Sequence, residues 1–310
     1  MITRPFSKSS GSLAPIIVFA FNRPEHLART LAALAACPEA SSSALTIYCD
    51  GARRPNDEEG VAAVREWAST ASGFASVKVV CRERNWGLAA SIIAGVSEQL
   101  SASNEVIVLE DDILVSPHFL SYMNRGLDLY ALDERVASVH GYVYPVAEAL
   151  PETFFLRGAD CWGWATWARA WAHFEADGAK LLRELHRRRS SKHFDFDGQY
   201  PYTGMLEDQI AGRNNSWAIR WHASCYLKNL FTLYPGRTLV QNIGHDASGT
   251  HCQTTDAMGG EPTQDAIAVD AIPVVESIVG RAAFVRLFSS QRSWKRRLRD
   301  SVRRAMRIHA

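Results

Sequence analysis

Glu110, Asp111 and Asp112 stand in a row directly after Val106-Ile107-Val108-Leu109, an apolar and mostly β-branched run. Such a run reads as a strand buried on both faces, with three carboxylates at its carboxyl end. Packed side by side, the three negative charges repel one another, and each is pushed toward protonation unless a cation sits among them. Oxygen-only ligands of this kind suit Mg²⁺ or Mn²⁺, hard ions that bridge one or two protein carboxylates to substrate phosphates. The plainer alternative is a solvated strand end or the cap of the next helix.

The elements around this stretch alternate. Pro15 to Phe21, Leu45 to Cys49 and Val77 to Cys81 read as strands, and Val136 to His140 as a fifth after the acidic one. Between them, Leu27, Leu31 and Leu34, then Val61, Val64 and Ala68, then Leu88, Ile92, Val96 and Leu100, and finally Leu120, Met123 and Leu127 recur at helical spacing. Asn22 and Glu25 suggest a capping box for the first helix, and Ser116-Pro117 suggests the start of the fourth. This alternation predicts an α/β fold, a mostly parallel Rossmann-like sheet flanked by helices. Ligands of such sheets sit outside the strands' carboxyl ends, which gathers Phe21 to Arg23, Asp50-Gly51, Arg82 to Leu88 and Glu110 to Asp112 onto one rim.

After residue 150 the rhythm changes. Trp162, Trp164, Trp167 and Trp171 crowd around Gly163, and Arg187 to Gly204 reads as a long loop. A helix through Met205 to Ala211 and strands at Trp217 to Trp221 and Phe231 to Tyr234 follow. The divisions expected are a flexible tail over 1–12, a single domain over 13–255 with halves at 13–115 and 116–255, and a loop and basic C-terminal segment over 256–310.

The 310 residues are 47% hydrophobic and 22% charged, enough for one sizeable core, and the net charge of +1 speaks against a nucleic-acid binder. Arginines nevertheless crowd the last thirty positions. There Phe284, Leu287, Phe288, Trp294, Leu298, Val302 and Met306 lie near helical spacing, which suits a helix resting on an anionic membrane surface. A helix packed on the domain is the alternative. Six cysteines without paired spacing suggest neither a zinc cluster nor a redox dithiol, and a reducing, cytoplasmic compartment is expected.

The rim lacks both phosphate-cradling glycine patterns, because Ala20-Phe21-Asn22-Arg23 stands where glycines are needed. Phe21-Asn22-Arg23-Pro24 after the first strand, Asp50-Gly51 after the second, Asn85-Trp86-Gly87-Leu88-Ala89 after the third and Glu110-Asp111-Asp112 after the fourth resemble the GT-A glycosyltransferases. Within these the order is most similar to the N-acetylglucosaminyltransferase I branch and to bacterial family 2-like sugar transferases. The resemblance runs from about residue 14 to 252, more loosely in the second half.

It implies a nucleotide-sugar donor, with UDP the family's usual carrier, and a glycan or lipid-linked acceptor. Asp112 would hold Mn²⁺ or Mg²⁺ against the diphosphate, and Asp111 and Glu110 would bind ribose or sugar hydroxyls. Asp50, Arg82 and Asn85 would meet the nucleoside, with Phe21 and Arg23 beside the base. Asp208, or else Glu207, would be the base of an inverting displacement, and His251 a further metal ligand. Trp162 or Trp164 would floor a sugar pocket. Two competing readings are a sugar-1-phosphate nucleotidyltransferase, which needs the missing glycine loop, and a non-catalytic scaffold tethered through its tail.

Overall fold

The computed structural model describes residues 13–244 and 260–292. Its first half is a run of strand and helix pairs. β1 (Ile16–Ala20) leads to α1 (Pro24–Ala35), β2 (Ala44–Cys49) to α2 (Glu58–Ser69), and β3 (Ser76–Cys81) to α3 (Leu88–Ala102). β4 (Glu105–Glu110) and the short β5 (Ile113–Val115) precede α4 (Phe119–Leu129) and β6 (Val136–His140). β7 (Thr153–Arg157), β8 (Trp164–Trp167) and five helices follow: α5 (Ala168–Trp171), α6 (Gly178–Arg187), α7 (Ser191–Phe194), α8 (Tyr202–Ile210) and α9 (Trp217–Leu227). The chain then runs through β9 (Phe231–Pro235), β10 (Val240–Asn242) and α10 (278–292).

Among the described residues, eight strands form one sheet in the order β3-β2-β1-β4-β8-β6-β9-β7. β3, β2, β1 and β4 run parallel, β8 runs against β4 and β6, and β9 is parallel to β6. This is the α/β architecture with a mostly parallel sheet that the alternation predicts. β1, β2 and β4 are sealed on both faces, while the edge strand β3 is only partly covered. Ile16, Val18, Ile107 and Leu109 face the layer of α1, α2 and α4, while Ile17, Phe19, Val106 and Val108 face α3, α5 and α9.

Several local expectations are corrected. Trp217 to Trp221 lies in α9, not in a strand: Ser216 caps the helix by accepting the Ile219 N–H at 3.2 Å. The helix is buried on nearly every side, so it has no polar face to betray its period. The Arg187 to Gly204 stretch is no open loop, since α7 lies within it and Phe194 and Phe196 are buried. Asn22 makes no capping box; Arg23 is the N-cap, and the Asn22 amide donates to Asp57 instead.

Two short strands matter for the site. β5 pairs antiparallel with β10, and the Ile243 N–H donates to the Asp112 carbonyl at 2.8 Å. This brings Gly244, 132 positions along the chain, against the acidic triplet: a Cβ on it would lie 2.1 Å from Asp112 Oδ2.

Candidate active site at the carboxyl rim of the sheet

Strand pairing places Phe19 opposite Glu110, so the turn after β1 and the triplet after β4 are neighbours. Asp111 is held hard. Its Oδ2 accepts the Phe21 N–H at 3.3 Å, its carbonyl accepts the Thr30 hydroxyl at 2.7 Å, and the Arg23 guanidinium donates to Oδ1. Arg23 also reaches Asp112 Oδ2 at 3.0 Å. Burial works against the Arg23 charge, but Asp111 and Asp112 outweigh it and hold its pKa above the ordinary value. Burial pushes the Asp111 carboxyl up against the pull of Arg23, while burial and then the neighbouring Asp112 and Asp111 raise that of Glu110.

Asp112 is the member with capacity left. It is buried, and its Oδ1 has no hydrogen-bond partner among the described residues. A buried anionic oxygen in that state is costly and marks a place for a cation or donor. No group of three His, Cys, Asp or Glu among the described residues is arranged to hold a metal unaided. The orphaned Asp112 oxygen fits a hard cation, for which the described residues would supply only part of the ligand set. His251 lies outside the described residues.

On the neighbouring strands, Asp50 is spent on architecture. Its Oδ1 accepts the N–H groups of Gly51 at 2.9 Å and Trp86 at 2.8 Å, and its Oδ2 accepts that of Gly87 at 2.9 Å. The Asn85 amide donates to the Gly51 carbonyl at 2.9 Å. Gly87 opens α3 at φ +76°, a conformation that favours glycine. These bonds hold Arg82, whose guanidinium stacks 3.5 Å from the centre of the Trp86 ring and 5.5 Å from that of Tyr48. Its Nε and Nη2 are buried with no partner among the described residues. Arg82 thus offers donors to an anion or a base edge.

Past β4 the rim is aromatic. Because β8 runs the other way, its entry loop over residues 158–163 lies at the same end of the sheet. Gly158 and Gly163 bracket it at φ +102° and +58°. The Trp162 N–H donates to His140 Nε2 at 3.1 Å, and His222 Nδ1 lies 2.7 Å from the Ala159 carbonyl oxygen. Burial lowers the pKa of both histidines. Trp162 packs on Tyr142 at 4.7 Å, half-buried at the rim. Trp164 is core instead, fully buried against Trp171, Trp217 and Trp221.

Asp160 of this loop escaped the sequence reading as a lone acid in an aromatic run. Burial raises the pKa of the neighbouring Cys161 thiol, and the charges of Asp160, Glu110 and Asp112 raise it further. By contrast, Asp208 lies near the end of α8, half-exposed and paired with Arg213 at 2.5 Å, and Glu207 is exposed beside it. Among the described contacts, neither meets the triplet.

No family model and no curated protein matches the sequence. Among solved structures the chain is similar to the mannosyltransferase PcManGT from Pyrobaculum calidifontis in complex with GDP-Man and Mn²⁺, 16% identical over 44% of this chain and 40% of that one, TM-score 0.32. It is also similar to S. aureus TarS, 13% identical over 47% of this chain and 24% of that one, TM-score 0.32. A third is a Bacillus anthracis chain, provisionally a glucose-1-phosphate thymidylyltransferase, in complex with sucrose: 8% identical over 52% of this chain and 74% of that one, TM-score 0.33. The chain thus spans less than half the length of the first two, and overlaps of this size bear on neither substrate nor mechanism.

Proposed function

We propose that the protein is a metal-dependent inverting glycosyltransferase that moves a hexosyl or N-acetylhexosaminyl group from a nucleotide sugar, a UDP-sugar in this reading, to a hydroxyl of a glycan or lipid-linked acceptor. The observation that carries it is the buried Oδ1 of Asp112 at the end of β4, without a hydrogen-bond partner among the described residues and beside two further carboxylates and one arginine. The motif order along the rim supports the same reading.

When bound, Mn²⁺ or Mg²⁺ supplies charge neutralisation for the departing diphosphate. The chain's own residues do the rest. Asp112 is the protein's anchor for the ion, and His251 is the second ligand this reading assigns. Arg23 keeps Asp111 and Asp112 from repelling each other apart, and Phe21 fixes Asp111 through its backbone N–H. Arg82, braced by Trp86 and by the turn that Asp50 and Asn85 tie down, turns two donors to the nucleotide. Asp111 and Glu110 take ribose or sugar hydroxyls. Motif order assigns the acceptor's base to Asp208 or Glu207, which requires the Asp208 pair with Arg213 to open.

Incubation with Mn²⁺ and a panel of UDP- and GDP-sugars tests the reading by release of the nucleoside diphosphate. Turnover of one donor, reduced at least about 100-fold in Asp112→Asn, is expected, because the metal term supplies several kcal/mol. Equal turnover in the variant sinks the metal assignment.

A further inference from the structure

Asp160 lies at the carboxyl rim without belonging to the triplet, and its loop is fixed from three sides. His140 holds the Trp162 N–H, His222 lies against Ala159, and the Gly141 N–H donates to the Gly163 carbonyl at 2.7 Å. Gly158 must be glycine there, since a Cβ would fall 2.4 Å from the His222 ring. Within the loop, Asp160 Oδ1 accepts the Cys161 N–H at 2.9 Å. Strand register brings the loop to the end of the sheet where the triplet lies: Trp164, the first residue of β8, pairs with Val108, two residues before Glu110.

The surroundings of Asp160 differ from those of Asp208. No lysine or arginine among the described residues pairs with it, whereas Asp208 is committed to Arg213. Burial, and after it the Asp160 charge, raise the pKa of Tyr142, Tyr200, Tyr202 and Tyr234. Trp162 and Tyr142 add an aromatic wall of the sort that lines sugar sites. Burial, then the charges of Asp160, Glu110 and Asp112, raise the pKa of Cys161. Asp160 thus sits in a fixed loop at the same rim of the sheet as the acids, and no described contact joins it to them.

We propose that Asp160 is the general base of the transfer, in place of Asp208. The inference rests on the glycosyltransferase reading above. The acceptor hydroxyl oxygen bonds to the anomeric carbon, the bond from that carbon to the diphosphate oxygen breaks with its electron pair leaving on the diphosphate, and the hydroxyl proton passes to Asp160. Where water is the acceptor the same step hydrolyses the donor, so the acceptor need not be known to test it.

The test uses the full-length protein, Mn²⁺, and whichever of UDP-glucose, UDP-galactose, UDP-N-acetylglucosamine and GDP-mannose the wild type hydrolyses fastest. Asp160→Asn is expected to lower kcat by about 10²–10⁴-fold, the usual contribution of a general base, with KM for the donor and Mn²⁺-dependent binding of the nucleoside diphosphate within about twofold of wild type. Asp160→Ala is expected to regain turnover with sodium azide, giving the glycosyl azide, because azide attacks without a proton to lose. A purely structural role predicts no such rescue. Full kcat in Asp160→Asn, absence of azide rescue, or a larger loss in Asp208→Asn overturns the proposal. Absence of turnover in the wild type overturns the glycosyltransferase reading and this inference together.

Discussion

Glu110, Asp111 and Asp112 share their strand end with Arg23, and one guanidinium cannot satisfy three carboxylates. Burial, then Asp112 and Asp111, push the Glu110 carboxyl from 4.5 up to about 8. The folded protein therefore keeps a proton that the unfolded chain has released. That stabilisation is complete below about 4.5 and is lost as the pH rises through about 8. His140 and His222, whose pKa values burial lowers from 6.5, contribute the opposite slope only below about that pH. In a chelating buffer the melting temperature is expected to fall between pH 6.5 and 8.5, and Glu110→Gln to flatten the fall. A flat wild-type profile contradicts the crowding described for this cluster. Some of this was legible in the residues, since three acids after an apolar run announce their own repulsion. That Arg23 answers them was not: it depends on β1 lying beside β4, which no local spacing reveals. Asp160 was hidden for the same reason, as its loop reaches this rim only through the antiparallel return of β8.

Asp50 belongs to the scale of elements, because its work is to join β2 to the start of α3. Its carboxylate takes three backbone N–H groups and thereby seats Trp86 against Arg82. Asp50→Ala orphans those donors and is expected to cost about 2–4 kcal/mol in urea unfolding, with or without nucleotide. A variant with unchanged stability and impaired nucleotide binding would instead make Asp50 a direct ligand, the role first expected of it. The strands and amphipathic helices of the first half were readable because their periods are clean. In the second half burial erased the period: α9 carries Trp217, Ile219, Trp221, Ala223 and Cys225 all buried, and an all-apolar helix looks like a strand.

At the scale of the whole molecule, α10 closes the aromatic side of the rim. Phe284 and Phe288 are buried against Tyr144, and Phe288 also meets Tyr200 at 4.6 Å. Arg281 pairs with Asp197 and Arg286 with Glu148. Phe284 and Phe288 are thus spent on the protein itself, as in the alternative of a helix packed on the domain and not on a membrane, while Ile278 and Val279 at the start of the helix stay exposed. Trp294, Leu298, Val302 and Met306 lie outside the described residues. No helix among the described residues is long and apolar enough to cross a membrane. Phe288→Ala is expected to cost about 3–5 kcal/mol in chemical unfolding; a cost below about 1 kcal/mol would detach the helix from the core. The central claim is that Asp112 joins a metal to a nucleotide diphosphate at this rim. Calorimetric titration of UDP and GDP, with and without Mn²⁺, on the wild type and on Asp112→Asn tests it most directly. Binding of one nucleotide that requires Mn²⁺ and disappears in the variant is the predicted result, and binding that ignores the metal, or survives the substitution, contradicts it.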